Sequence, residues 1–218
     1  PRVAAENVTE SPSYNSGVQN ADAQYAYVIN WDQRHAPKAL AKLWDAGYRV
    51  RSAEETFTLD DQTYSEGSLI VLIGRNYEKK NDIAADMQRI ASEANVQVQG
   101  FDTGRMEKGI DLASRSSVPV DKPKVALMVD SPFSSYTAGQ IWFLFDQWTE
   151  FGISRIRSES LDYIDLNEYD VLVLPGAWGG YSSVLDSTTI DELKGWVRRG
   201  GTVVATEDAA GFMTQDQS

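Results

Sequence analysis

Two runs of residues have the types and spacing that chemistry would need. The first is Pro175-Gly176-Ala177-Trp178-Gly179-Gly180, directly after the apolar run Val171-Leu172-Val173-Leu174. Glycines permit positive φ and a close approach of backbone to a ligand, and open parallel sheets bind ligands beyond the carboxyl ends of their strands. Gly176, Trp178, Gly179 and Gly180 are therefore candidate ligand contacts. The plainer reading is a tight turn out of a strand. The spacing is not G-x-G-x-x-G and no Lys-Ser/Thr follows, so phosphate recognition is not supported.

The second run is Val203-Val204-Ala205-Thr206-Glu207-Asp208-Ala209-Ala210-Gly211. A strand runs into a sharp turn followed by small residues, the outline of an elbow that projects one side chain from a strained turn. Glu207 or Asp208 stands at its apex, and a carboxylate can act as nucleophile or base. The plainer reading is that both acids favour the start of a following helix. The single histidine, His35, lies far away in sequence beside Pro37 and reads as a surface or capping residue. The acidic groups Asp60, Asp61, Glu66 and Asp162, Asp165, Glu168, Asp170 lack the EF-hand pattern and read as solvated faces.

Composition narrows the chemistry further. The 218 residues hold no cysteine and one histidine, which removes thiol nucleophiles, disulfides and Cys-ligated zinc, and leaves too few histidines for a two-histidine zinc site. No metal site is expected in this chain. The 20 basic residues stand against 32 acidic ones, a net charge of −12, and a nucleic-acid or anionic-membrane partner is a poor match. No apolar run approaches the ~20 residues of a membrane span. Pro1 is not an initiator Met and no secretory leader is visible, so the chain reads as a piece of something longer.

The elements that must position these runs follow from periodicity. Residues 1–24 are polar and aperiodic and read as a linker or strap, with Asn7-Val8-Thr9 fitting the glycosylation triplet. A strand is expected from Tyr25, a helix over Ala36–Ala46 stopped by Gly47, a strand at Tyr48–Arg51, a hairpin around Asp60-Asp61, and a buried strand over Ser68–Gly74. Asn81 is expected to cap a helix over Asp82–Ala94, followed by a strand at Val96–Val98. Residues 104–122 look irregular and hold a boundary.

The β-α-β rhythm then restarts. Strands are expected at Lys124–Val129, Ile153–Arg157, Tyr169–Leu174 and Thr202–Thr206. Helices are expected at Ala138–Phe151, ended by Gly152, and at Thr188–Val197, capped by Thr188 or Ser187. The first of these carries Trp142, Phe143, Phe145, Trp148 and Phe151 around its circumference, which suggests burial on two faces, an exposed partner patch being the alternative. The alternation predicts an α/β fold in two parts: a small α/β domain over 25–118 and a parallel-sheet α/β domain over 119–218.

The stretches KVALMVD, DVLVLPGAWGG, LKGWVRRGG and TVVATEDAAG resemble the class I glutamine amidotransferase-like domain, of flavodoxin-like fold. The resemblance puts Glu207 where that family presents its catalytic Cys, and the partner His of the family has no counterpart before Ser218. It therefore implies a catalytically dead relative or one with another role, and implies that further strands of the domain lie beyond Ser218. Over residues 25–211, ALAKLWDAGYRV, FTLDDQTYSEGSLIVL and GIDLASRSSVPVDKPKVALMVD together resemble the C-terminal region of bacterial zinc carboxypeptidases of the M14 family. That family's H-x-x-E pair, distant His and catalytic Glu have no match here. The resemblance implies an accessory region whose zinc-binding peptidase domain precedes Pro1, no cofactor in this chain, a secreted or periplasmic parent, and as partners its own peptidase domain and peptide substrate. The alternative is a free-standing ligand-binding or hydrolytic domain using Glu207 and Asp208.

Overall fold

The computed structural model describes residues 7, 9, 10 and 15–214. The chain divides into two compact units, Pro1–Val120 and Asp121–Ser218. The strap expected over residues 1–24 falls in part, together with Val8 of the glycosylation triplet, outside the described residues. In its later part Gly17–Gln19 form a strand.

In the first unit the strands are β1 (Gly17–Gln19), β2 (Ala26–Ile29), β3 (Val50–Ala53), β4 (Phe57–Leu59), β5 (Gln62–Tyr64), β6 (Leu69–Leu72), β7 (Gln97–Phe101) and β8 (Ser117–Val120), with helices α1 (Ala36–Asp45) and α2 (Ile83–Ala94). Six of the strands make one mixed sheet, in the order β1-β7-β2-β6-β3-β8, and β4 and β5 make a separate hairpin. Only β1 and β7 run parallel; the other neighbours in that sheet are antiparallel. The boundary falls at Val120 because β8, in a stretch read from sequence as irregular, pairs along its whole length with β3.

Each face of this sheet carries its own core. Tyr27, Ile29, Leu69 and Val71 face α1 and α2, which contribute Leu40, Leu43, Met87 and Ile90. Ala26, Val28, Ile70 and Leu72 face the hairpin and the segment that follows β7, through Phe57, Tyr64, Phe101, Met106 and Leu112. The period of two along β2 and β6 thus feeds both layers, and this is why both strands are apolar at every position.

Helix ends differ in how they are held. α1 ends in a Schellman arrangement: the Gly47 N–H donates to the Trp44 carbonyl and the Tyr48 N–H to the Leu43 carbonyl, with Gly47 at φ +75°. α2 starts one residue later than expected, with Asp82 rather than Asn81 at the cap and no side-chain capping bond there.

The second unit contains β9 (Val125–Val129), α3 (Ser135–Phe143), β10 (Ser154–Arg157), β11 (Val171–Leu174), α4 (Ser187–Arg198), β12 (Thr202–Ala205) and α5 (Asp208–Met213). Its four strands are all parallel, in the order β10-β9-β11-β12. Numbered within the unit this is 2-1-3-4, the flavodoxin-like succession of a doubly wound sheet. The fold class is therefore α/β, with a mixed sheet in the first unit and a parallel flavodoxin-like sheet in the second. The core of the second unit gathers Met128, Phe133, Ile156, Leu172, Leu174, Tyr181, Leu193 and Trp196.

Two expectations are corrected here. The long aromatic helix is α3 followed by a wide helical turn over Leu144–Thr149, ended by Glu150 in the left-handed conformation rather than by Gly152. It is not buried on two faces: Tyr136, Trp142, Phe143 and Leu144 are exposed, and the Trp142 ring stacks under the Arg155 guanidinium of β10 at 4.4 Å. α4 is capped not by Thr188 or Ser187 but by Asp186, whose carboxylate accepts from the Thr189 N–H at 2.8 Å. The other edge strand, β12, leaves Val204 44% exposed, unusual for a strand of a parallel sheet.

Candidate functional site

In a 2-1-3-4 sheet the chain departs in opposite directions from β9 and β11, and the crevice between their carboxyl ends is the place where such folds bind ligands. The two candidate runs both arrive at this edge. The segment after β11 begins Pro175-Gly176, and the turn after β12 is Thr206-Glu207.

The crevice is closed by main-chain bonds. The Ser134 N–H donates to the Gly176 carbonyl and the Trp178 N–H to the Pro132 carbonyl, both at 2.7 Å. Phe133 and Ala177 form an isolated antiparallel bridge between these bonds, and the Phe133 ring is buried beneath them. The segments after β9 and β11 are thus zipped together. Behind them Tyr181 donates its hydroxyl to the Pro175 carbonyl. Burial first, and then the nearby Asp208 charge, push the Tyr181 phenol above its usual range, so it stays a donor.

The elbow has the strained geometry that its sequence suggests. Glu207 sits at φ +53°, ψ −127°, a region that non-glycine residues rarely occupy. Holding it costs on the order of 1–3 kcal/mol, supplied by the surrounding structure. Two side-chain contacts belong to that surrounding. The Thr137 hydroxyl of α3 donates to Glu207 Oε1 at 2.9 Å, and Asp208 Oδ1 accepts from the Ala177 N–H at 2.9 Å. Thr137 is placed by Ser134, the α3 cap, whose Oγ accepts from the Thr137 N–H.

Gly176 is where elbow and loop touch. A Cβ on it would stand 2.0 Å from Glu207 Oε2 and 3.2 Å from Asp208 Oδ1. Glycine here makes room for the carboxylates. Gly179 and Gly180 are different: both have positive φ, and nothing lies within 4 Å of a Cβ built on either, so backbone conformation alone requires them. The Trp178 indole points away from this packing and is 64% exposed.

Of the residues singled out by sequence, the structure therefore brings together Gly176, Glu207 and Asp208, and leaves the Trp178 side chain and Gly179-Gly180 outside their contacts. Sequence reasoning missed Thr137 and Ser134. The cap signal Ser134-x-x-Thr137 was available to find them, but the apolar run starting at Ala138 drew the helix start past it.

As chemistry, both acids already accept hydrogen bonds that fasten the elbow to α3 and to the loop. The Ala177 and Trp178 N–H groups, the natural candidates to hold an anion here, are likewise donated within the fold. Among the described residues no group of three or more His, Asp or Glu is placed to hold a metal ion, and no helix is long and apolar enough to cross a membrane. Comparison with protein-family models, with curated proteins and with solved structures finds no match for this chain.

Proposed function

We propose that this chain is the non-catalytic accessory region of an exported zinc carboxypeptidase of the M14 kind, with its second unit an amidotransferase-like domain used for packing or for holding peptide substrate. The observation that carries this reading is the apex of the elbow. Where the resemblance puts a nucleophilic Cys, Glu207 stands with its carboxylate tied to Thr137 and pressed on Gly176. A carboxylate fastened in this way works as a strut. The exposed aromatic edge of α3, with Tyr136, Trp142 and Phe143, supplies apolar surface of the kind that covers a partner domain.

The test has two parts. The purified chain, incubated with zinc and peptides bearing free carboxyl termini, is expected to release no terminal residue; turnover by the chain alone overturns the reading. The coding sequence upstream of Pro1 is expected to hold an H-x-x-E pair and a later His, and a start codon close to Pro1 overturns it equally.

The strained φ of Glu207 favours a second reading, a free-standing ligand-binding domain centred on Glu207 and Asp208. It predicts that Glu207→Gln abolishes ligand binding without lowering the melting temperature.

A further inference from the structure

The two sides of α3 differ in character. Thr137 and Ala138 are buried. Away from them stand Tyr136, Gly139 and Phe143, spaced i, i+3 and i+7 along one stripe of the helix. Tyr136 is 75% and Phe143 63% exposed, and nothing lies within 4 Å of a Cβ built on Gly139. The stripe is thus a shallow saddle, two aromatic knobs with a glycine gap between them. Trp142 and Leu144 flank it and are also exposed.

Charge sets this stripe apart as well. Residues 131–145 contain no Asp, Glu, Lys, Arg or His, in a chain that is 24% charged and carries −12 overall. Copies of this protein repel one another, and here two of them can approach without setting like charges against each other. The spacing is also symmetric. Tyr136 and Phe143 lie equally far from the midpoint between Gly139 and Gln140. When α3 meets a second α3 running the other way, with the two-fold axis through that midpoint, Tyr136 of each copy falls on Phe143 of the other. That reciprocity is the condition of an isologous interface. Gly139 lets the two backbones come close at the axis. Asp146, exposed and the first charge after the stripe, comes to the amino end of the second copy's α3, where a carboxylate is favoured.

We propose that this stripe is the interface of a symmetric dimer of the chain, two α3 helices packed antiparallel across Gly139. The inference goes beyond the function proposed above and does not depend on it; a partner domain is the rival occupant of the same face. Area sets the strength of the contact. The exposed parts of Tyr136, Trp142, Phe143 and Leu144 come to roughly 400 Å² on each copy, taking about 200 Å² for a whole aromatic side chain. Both copies together give about 800 Å², to which the polar rim adds, and specific interfaces begin at about 1,000–1,200 Å². The dimer is therefore weak and reversible, with a Kd of about 100 μM.

The test is sedimentation equilibrium of the purified chain at neutral pH, over roughly 10 μM to 1 mM, a decade either side of that Kd. The weight-average mass is expected to climb from 24.2 kDa towards twice that value. Phe143→Asp presses a carboxylate against a ring and is expected to weaken association about ten-fold. Tyr136→Lys is expected to weaken it similarly. Both positions are exposed, so each variant keeps the circular dichroism spectrum of the parent. An equimolar mixture of the two variants keeps one ring pair and sets the introduced ammonium opposite the introduced carboxylate at the other end. It is expected to associate about three-fold more tightly than either variant alone. A chain that stays at the monomer mass up to about 1 mM overturns the proposal and leaves the face to another domain. So does a dimer that Phe143→Asp leaves intact, or a mixture no tighter than its components.

Discussion

The Thr137 hydroxyl and the Glu207 carboxylate meet at 2.9 Å, and their bond joins the first turn of α3 to the strained turn after β12. Thr137 is 9% exposed, so its hydroxyl has little access to water as a substitute partner. Thr137→Val keeps the shape and removes the donor. The Glu207 carboxylate left behind is exposed and can hydrate, so a loss of about 0.5–1.5 kcal/mol is expected in urea denaturation. A variant as stable as the parent would show that the elbow is held by its backbone alone.

Gly176 and Glu207 are predicted to be energetically coupled. Gly176→Ala drives its methyl into Glu207 Oε2, and because the flexible carboxylate end can swing aside only by giving up Thr137, the change is expected to cost about 1 kcal/mol, the low end for an overpacked site. In a Glu207→Ala background the obstacle is gone, and the same change should cost clearly less. A double-mutant cycle measures the difference, and strict additivity would contradict the contact.

Gly100 of β7 is a harsher case. A Cβ there would lie 2.1 Å from the Asn20 carbonyl oxygen and 2.7 Å from the Ala23 methyl. No flexible side-chain end can yield, so Gly100→Ala is expected to cost about 3 kcal/mol, the upper range of overpacking. Thermal unfolding of the variant checks this, with a melting temperature close to that of the parent as the contrary result.

The β4–β5 turn is predicted to improve on substitution. Asp60 and Asp61 both have positive φ, 51° and 60°, the geometry of a tight two-residue hairpin turn. An asparagine followed by a glycine meets that demand with less strain. The double change Asp60→Asn with Asp61→Gly should therefore raise stability by about 0.5–1 kcal/mol. Chemical denaturation reads it directly.

Stability should also fall in acid through Asp86. Burial opposes its ionisation, but hydrogen bonds from Arg89 at 2.8 Å and from the Tyr48 hydroxyl at 2.7 Å outweigh it and hold the carboxyl below its ordinary value. A carboxyl depressed in the folded state stabilises it fully above the unfolded-state value, near 3.9, and the contribution disappears as pH drops through the folded one. Asp86→Asn is therefore expected to lower stability at pH 7 and to flatten the loss seen below about pH 4. Parallel acid limbs for parent and variant would refute it.

What the sequence made legible was local. Leu40, Leu43 and Trp44 mark the stripe of α1, and Gly47 marks its end, because the period and the cap both lie within one stretch of chain. The hairpin around Asp60-Asp61 was visible for the same reason. β1 was not, since Gly17–Gln19 are a strand only by virtue of β7, eighty residues on in the Gly17–Gln97 pairing. At the site, Glu207 stood out through its turn, and Gly176 through its neighbours. That Glu207 faces Gly176, and that Thr137 holds it, depends on strand order, which no local pattern encodes. The aromatic content of α3 was misleading, because Trp142 and Phe143 are exposed and not packed into the core of the unit.

Among the described residues β12 has a sheet neighbour on one side alone and leaves Val204 uncovered, and such an edge bears on how copies of the chain meet. At neutral pH a net charge of −12 keeps copies apart. Towards the isoelectric point near 4.5 that repulsion vanishes, and flank can meet flank.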